Sequence, residues 1–172
     1  MGYMRFVKDN GIGFERQFAE RIFKPIQRLD WRASLPDNRH ITVLMADDDP
    51  EDCMLAMEAF RESGAKAAFA CVEDGIELMT YLSERSSHEA KGLPDLILLD
   101  LNMPKKDGRE ALIEIKAEPA LQRIPIVILT TSGMQRDIDF SMQAGAESFI
   151  TKPATFDEWV EMMKSLVESW LR

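Results

Sequence analysis

The run Leu96-Ile97-Leu98-Leu99-Asp100-Leu101-Asn102-Met103-Pro104-Lys105-Lys106-Asp107-Gly108 decides the fold. Four consecutive large aliphatic residues, bounded downstream by Pro and Gly, read as a strand buried on both faces, as in a parallel sheet. Asp100 ends that strand. A carboxylate there is badly placed for packing, but open α/β sheets bind their ligands at the carboxyl ends of strands.

The pattern repeats along the chain. Ile41-Thr42-Val43-Leu44-Met45-Ala46 runs into Asp47-Asp48-Asp49-Pro50, and Pro125-Ile126-Val127-Ile128-Leu129 runs into Thr130-Thr131-Ser132-Gly133. A weaker strand over Glu147 to Thr151 ends at Lys152-Pro153, and Ala67 to Val72 reads as a short fifth strand. An acid after a strand is ordinarily a helix N-cap. Acids, an acid, a hydroxyl and a cation, delivered in turn by four strands to one sheet edge, are more than caps require.

Between the strands lie helical patterns. Pro50 to Ser63 carries Met54, Leu55, Met57 and Phe60 and stops at Gly64, and Asp74 opens a helix through Ile76, Leu78, Met79, Tyr81 and Leu82. Asp107 to Ala117, Met134 to Ala144 and a last helix from Thr155 complete the alternation, which predicts a doubly wound parallel sheet. On the last helix Trp159, Met163 and Trp170 read mostly as core, but with neighbouring Leu and Val they exceed what one core-facing stripe needs, which leaves room for a partner-facing stripe.

The order Asp47-Asp48, Asp100, Thr130, Lys152, with LDLNMPKKDG (99–108) and ITKP (150–153) around it, resembles the receiver domain of two-component response regulators. The stretch NMPKKDGREALIEIKAEPALQRIPIVILTTS (102–132) is most similar to single-domain regulators that partner phytochrome-type histidine kinases. The resemblance implies a five-stranded flavodoxin-like receiver fold over residues 39–172. It implies Asp100 as phosphoacceptor, and Mg2+ held by Asp47, Asp48 and Asp100 with the backbone carbonyl of Asn102. Lys152 and Thr130 are then expected on the phosphoryl oxygens, Phe149 as the aromatic switch and the Lys152–Pro153 bond as cis. A sensor histidine kinase is the implied partner, with a homodimer through the last helices. The chain is then a phosphoacceptor rather than an enzyme.

The chemistry agrees with that assignment. Phosphoryl transfer needs an acceptor oxygen, a divalent cation and a balancing positive group. Two carboxylates about 4 Å apart repel by roughly 4 kcal/mol at an effective dielectric of 20. A hard dication that prefers oxygen ligands relieves that repulsion. A phosphatase of the haloacid dehalogenase type also uses a strand-end Asp, but needs a second acid two residues on, where this chain has Asn102.

Residues 1–38 are different. DNGIGF (9–14) and IFKPIQRL (22–29) resemble the G1 and F boxes of a histidine kinase ATP-binding domain, with Asp9 at the adenine-recognising position. The magnesium-holding asparagine helix and the second Gly-rich box are missing, so the segment reads as a kinase remnant; residual nucleotide binding in a remnant hybrid kinase is the alternative. Phe14, Phe18 and Ile22 recur at helical spacing.

Of the chain's 21 Lys/Arg and 30 Asp/Glu, 8 and 5 fall in residues 1–40 and 13 and 25 in residues 41–172, a net +3 before a net −12. So acidic a domain repels nucleic acid, and no helix-turn-helix follows the last helix. No apolar run is long enough to cross a bilayer, and no signal-peptide h-region opens the chain, so the expected compartment is the cytoplasm. Cys53 and Cys71 lack metal-ligand spacing and are expected to be buried thiols.

Residues 1–38 should show no measurable ATP affinity within the full chain. Calorimetric detection of micromolar ATP binding that Asp9→Ala removes would reverse that reading.

Overall fold

The computed structural model describes residues 41–87 and 92–171. The kinase-like segment 1–38 lies outside the described residues. Five strands and five helices alternate: β1 Ile41–Ala46, α1 Pro50–Glu62, β2 Ala67–Val72, α2 Gly75–Ser86, β3 Leu96–Leu99, α3 Gly108–Ala117, β4 Ile126–Thr130, α4 Gln135–Gln143, β5 Ser148–Thr151 and α5 Phe156–Leu166. A π-helical turn, Val167–Leu171, continues α5.

The strands form one sheet in the order β2-β1-β3-β4-β5, and every pairing is parallel. Because side chains alternate across a strand, the sheet feeds two apolar layers. Val43 and Met45 of β1, Leu96 and Leu98 of β3, and Val127 and Leu129 of β4 pack with Ala56 and Phe60 of α1 and Trp159 and Met163 of α5. Leu44, Ile97, Leu99, Ile126 and Ile128 pack with Leu78 of α2, Leu112 and Ile115 of α3 and Ile138 of α4. Winding reverses at β1 and β3, where β1 pairs with both β2 and β3, so the carboxyl ends of those two strands flank the crevice that doubly wound sheets use for ligands.

Two expectations change. Trp159 and Met163 are each 1% exposed, and Trp170 is half-buried against the same layer. Most large apolar groups of the last helix face the core, with Phe156 left 37% exposed at its start, so the surplus available to a partner there is smaller than the sequence suggests. Large exposed apolar side chains sit instead on α1, where Met54 is 70% exposed beside Leu55 and Met57. The cysteines are also not free thiols: Cys53 of α1 and Cys71 of β2 form a disulfide across 18 residues of sequence. Their proximity arises from α1 folding back over the β1–β2 edge, a tertiary relation that spacing in the chain does not carry. Closing a loop of that length contributes about 3 kcal/mol in the chain-entropy account.

Helix starts are locally encoded. Asp49, Asp74, Asp107 and Thr155 each accept a backbone N–H of the first turn, which satisfies donors that the helix itself cannot. α4 has no side-chain cap at Met134.

The β3–α3 loop is clamped from two sides. Lys105 takes a left-handed φ of 62°, and its ammonium donates to the buried Asp74 carboxylate at 2.6 Å. Gly108 lies so close to the end of β3 that an added Cβ would fall 2.0 Å from the Asp100 carbonyl oxygen and 2.8 Å from Leu101 Cα. Backbone cannot yield there as a flexible side chain would. Gly108→Ala should therefore cost about 2 kcal/mol or more, measured by urea unfolding. A wild-type unfolding midpoint would refute the close-approach constraint.

Candidate functional site

Of the three acids after β1, one is structural. Asp49 caps α1 by accepting the Glu51 N–H at 2.9 Å. Asp47, buried, accepts the Asp49 N–H at 3.0 Å. Asp48 is exposed at the rim. Asp100, buried after β3, accepts the Asn102 N–H at 3.1 Å, while its own N–H donates to the Ala46 carbonyl at 3.0 Å, tying the ends of β1 and β3 together.

Lys152, from the end of β5, spans the edge. Its ammonium stands 2.7 Å from Asp47 Oδ2, 2.7 Å from Asp52 Oδ2 and 3.0 Å from Asp100 Oδ2. Its backbone N–H donates to the Thr130 carbonyl at 2.9 Å, continuing the β4–β5 ladder. The Lys152–Pro153 bond is trans, since no cis peptide occurs among the described residues; this corrects the expectation and follows the ordinary preference of an X–Pro bond.

The site thus gathers Asp47, Asp48, Asp100 and Lys152. Thr130 is fully buried at the end of the neighbouring strand, and Asn102 is exposed beside Asp100. Phe149 is buried in the layer shared with α2, α3 and α4. Asp52 was missed by sequence reasoning. It lies in the first turn of α1, where acids commonly complement the helix dipole, so its type and place carry no distinguishing signal. A second missed cluster joins α3 to α4: Asp137, buried, accepts from Arg109 Nη2 at 2.8 Å and from Ser132 Oγ at 2.5 Å.

The electrostatics are unbalanced. Burial pushes the Asp47 carboxyl up to about 6, partly offset by Lys152 and the Asp49 N–H. Burial pulls the Lys152 ammonium down, but hydrogen bonds to Asp47 and Asp52 and the charge of Asp100 outweigh it, leaving it raised. Three carboxylates face one ammonium. Oxygens of Asp47, Asp48 and Asp100 lie within 4.8 Å of one another, and the buried Asp47 Oδ2 stands 2.7 Å from the Lys152 ammonium. That donor set, hard oxygens with excess negative charge, fits a divalent cation.

A receiver-domain model, that of the response regulator receiver domain, matches residues 43–164. Response regulator Rcp1 of Synechocystis is 36% identical over 129 residues, covering 75% of this chain and 88% of Rcp1. Among solved structures, the phosphorylated cyanobacterial phytochrome response regulator RcpA superposes with a TM-score of 0.71 at 41% identity, covering 77% of this chain and 95% of RcpA. The Mn(2+)-bound form of Rcp1 superposes with a TM-score of 0.69 at 36% identity, covering 77% of this chain and 95% of Rcp1.

A cation held by this donor set would meet Asp47 as a carboxylate. Below about pH 6 it has to displace the Asp47 proton, so affinity should fall as pH drops through that value and level off above it. Calorimetric Mg2+ titrations between about pH 5 and 8 measure this; a flat profile would contradict the burial-raised Asp47.

Proposed function

Because the chain belongs to the response regulator receiver family, we propose that Asp100 is its phosphoacceptor and that a sensor histidine kinase of the phytochrome type is the donor. Similarity to RcpA and Rcp1 supports the kinase type. The observation that carries the residue assignment is the convergence of Lys152 on Asp100 at 3.0 Å at the carboxyl edge of β3.

In this reading an Asp100 carboxylate oxygen attacks the phosphorus of a phosphohistidine. The new P–O bond forms as the P–N bond breaks, and the imidazole nitrogen leaves and takes up a proton. Nucleophilic catalysis by a carboxylate yields an acyl phosphate. Asp47, Asp48 and Asp100, with the carbonyl of Asn102, would hold Mg2+, which when bound supplies positive charge against the phosphoryl oxygens. Lys152 already contacts the attacking carboxylate, so its ammonium is in place for the charge that arrives with the phosphoryl group. Thr130 donates its hydroxyl to a phosphoryl oxygen, and Phe149 follows the movement of Thr130. Signalling then proceeds by protein contact around residues 133–172, as a population shift set by differential affinity for the two states.

Asp100→Asn should keep the fold and lose labelling both by acetyl phosphate and by an ATP-charged phytochrome-type kinase. Circular dichroism checks the fold, and acid-urea gels or mass spectrometry the acyl phosphate. Stoichiometric labelling of the variant would remove Asp100 from the role.

A further inference from the structure

We propose that Asp137 is a positioning residue for phosphoryl capture, fixing the loop after Thr130 by holding Ser132 while Arg109 anchors it to α3. The proposal rests on the phosphoacceptor reading above.

Only four residues, 131–134, join β4 to α4. Any placement of the Thr130 hydroxyl toward Asp100 has to be accommodated within them. Gly133 has open space around it, and α4 lacks a side-chain cap, so little local structure restrains this connection. Ser132 supplies the restraint. Its N–H donates to Thr130 Oγ1 at 3.4 Å, and its hydroxyl donates to Asp137 Oδ2 at 2.5 Å. The other oxygen, Asp137 Oδ1, accepts from Arg109 Nη2 at 2.8 Å.

As a first-turn acid Asp137 suits the dipole of α4, but that role does not require burial. The residue is 4% exposed, and a buried carboxylate is costly unless paired and hydrogen-bonded. Hydrogen bonds from Ser132 and Arg109 outweigh its burial and hold its carboxyl below the usual range. Arg109 is the second residue of α3, next to the Gly108 that packs against Asp100. The bridge therefore ties the Thr130 loop to the element that packs against the acceptor's backbone. Phe149 is buried in the same structure, so the bridge is compatible with the aromatic packed inward. A loop held in this way loses less freedom when a phosphoryl group is captured, and pre-organisation of that kind appears as affinity.

Beryllofluoride with Mg2+ serves as the probe, titrated by calorimetry, with ligand-free thermal unfolding of each variant alongside. Asp137→Ala should weaken beryllofluoride binding about tenfold, and Ser132→Ala about threefold, from the loss of charge-assisted hydrogen bonds. The double variant should be no weaker than Asp137→Ala alone, because both break one bridge. Asp137→Asn, which can still bond Arg109 through its oxygen and Ser132 through its amide, should restore most of the affinity. Variants that melt earlier but bind like the wild type, or losses that simply add, would overturn the proposal. Ser132→Ala leaves the Asp137–Arg109 pair buried and intact, and so keeps the test open if Asp137→Ala does not fold. A wild-type protein that ignores beryllofluoride would overturn the phosphoacceptor reading and this inference together.

Discussion

The Lys152 ammonium is the interaction on which the functional edge depends. It meets Asp47 from the end of β1, Asp52 from α1 and Asp100 from the end of β3, all within 3.0 Å. Two stretches distant from it in sequence, Asp47 to Asp52 and Asp100, thus share one positive charge. Buried ion pairs seldom add net stability, because desolvation offsets the attraction, yet removing one partner leaves the others uncompensated. The apolar layers on the two sheet faces therefore stabilise the fold, and Lys152 makes an acidic edge compatible with it. Three carboxylates on one ammonium also mean that none is fully neutralised, a condition that suits a site for a dication.

Backbone geometry supplies the second constraint. Asp100 is held in place by its N–H on Ala46 and by the contact of Gly108 with its carbonyl. The loop between them is pinned to the start of α2 by Lys105 on Asp74 and by the Gly75 N–H on the Lys106 carbonyl at 3.1 Å. A carboxylate at a strand end, braced by two neighbouring elements, is positioned more tightly than a loop alone allows. The β4–α4 connection is restrained chiefly by side chains, which is why its restraint can be removed by single substitutions.

Much of the arrangement was legible in the chain because it follows from local periodicity. Strands β1, β2 and β3 coincide with their apolar runs, and the helices begin within a residue or so of the Asp, Pro and Thr signals that marked them. Asp47, Asp48, Asp100 and Lys152 could be grouped because a strand end fixes which edge a residue occupies. What could not be read depends on contacts between elements. Asp52 is an ordinary first-turn acid until β5 brings Lys152 to it. Arg109, Ser132 and Asp137 each have innocent local roles, and only the packing of α3 beside α4 joins them. The disulfide was missed for the same reason, while Trp159 and Met163 are core residues, as helical spacing favours.

Charge imbalance also bears on what can react at this edge. Three carboxylates on one ammonium, with Asp48 at the rim, disfavour an incoming anion, and the surrounding receiver, net −12 over residues 41–172, extends that repulsion outward. Screening at physiological salt limits the reach of exposed charges to about 8 Å, so a small anionic donor meets the barrier chiefly at the pocket itself. A protein donor can offset it with complementary contacts over a larger surface, and interface electrostatics act most strongly on encounter and partner choice. α1 adjoins the pocket through Asp52 and exposes Met54, Leu55 and Met57. Apolar contact there would add affinity without adding negative charge. The same excess of carboxylates that suits a dication therefore disfavours a small anion arriving alone from solution.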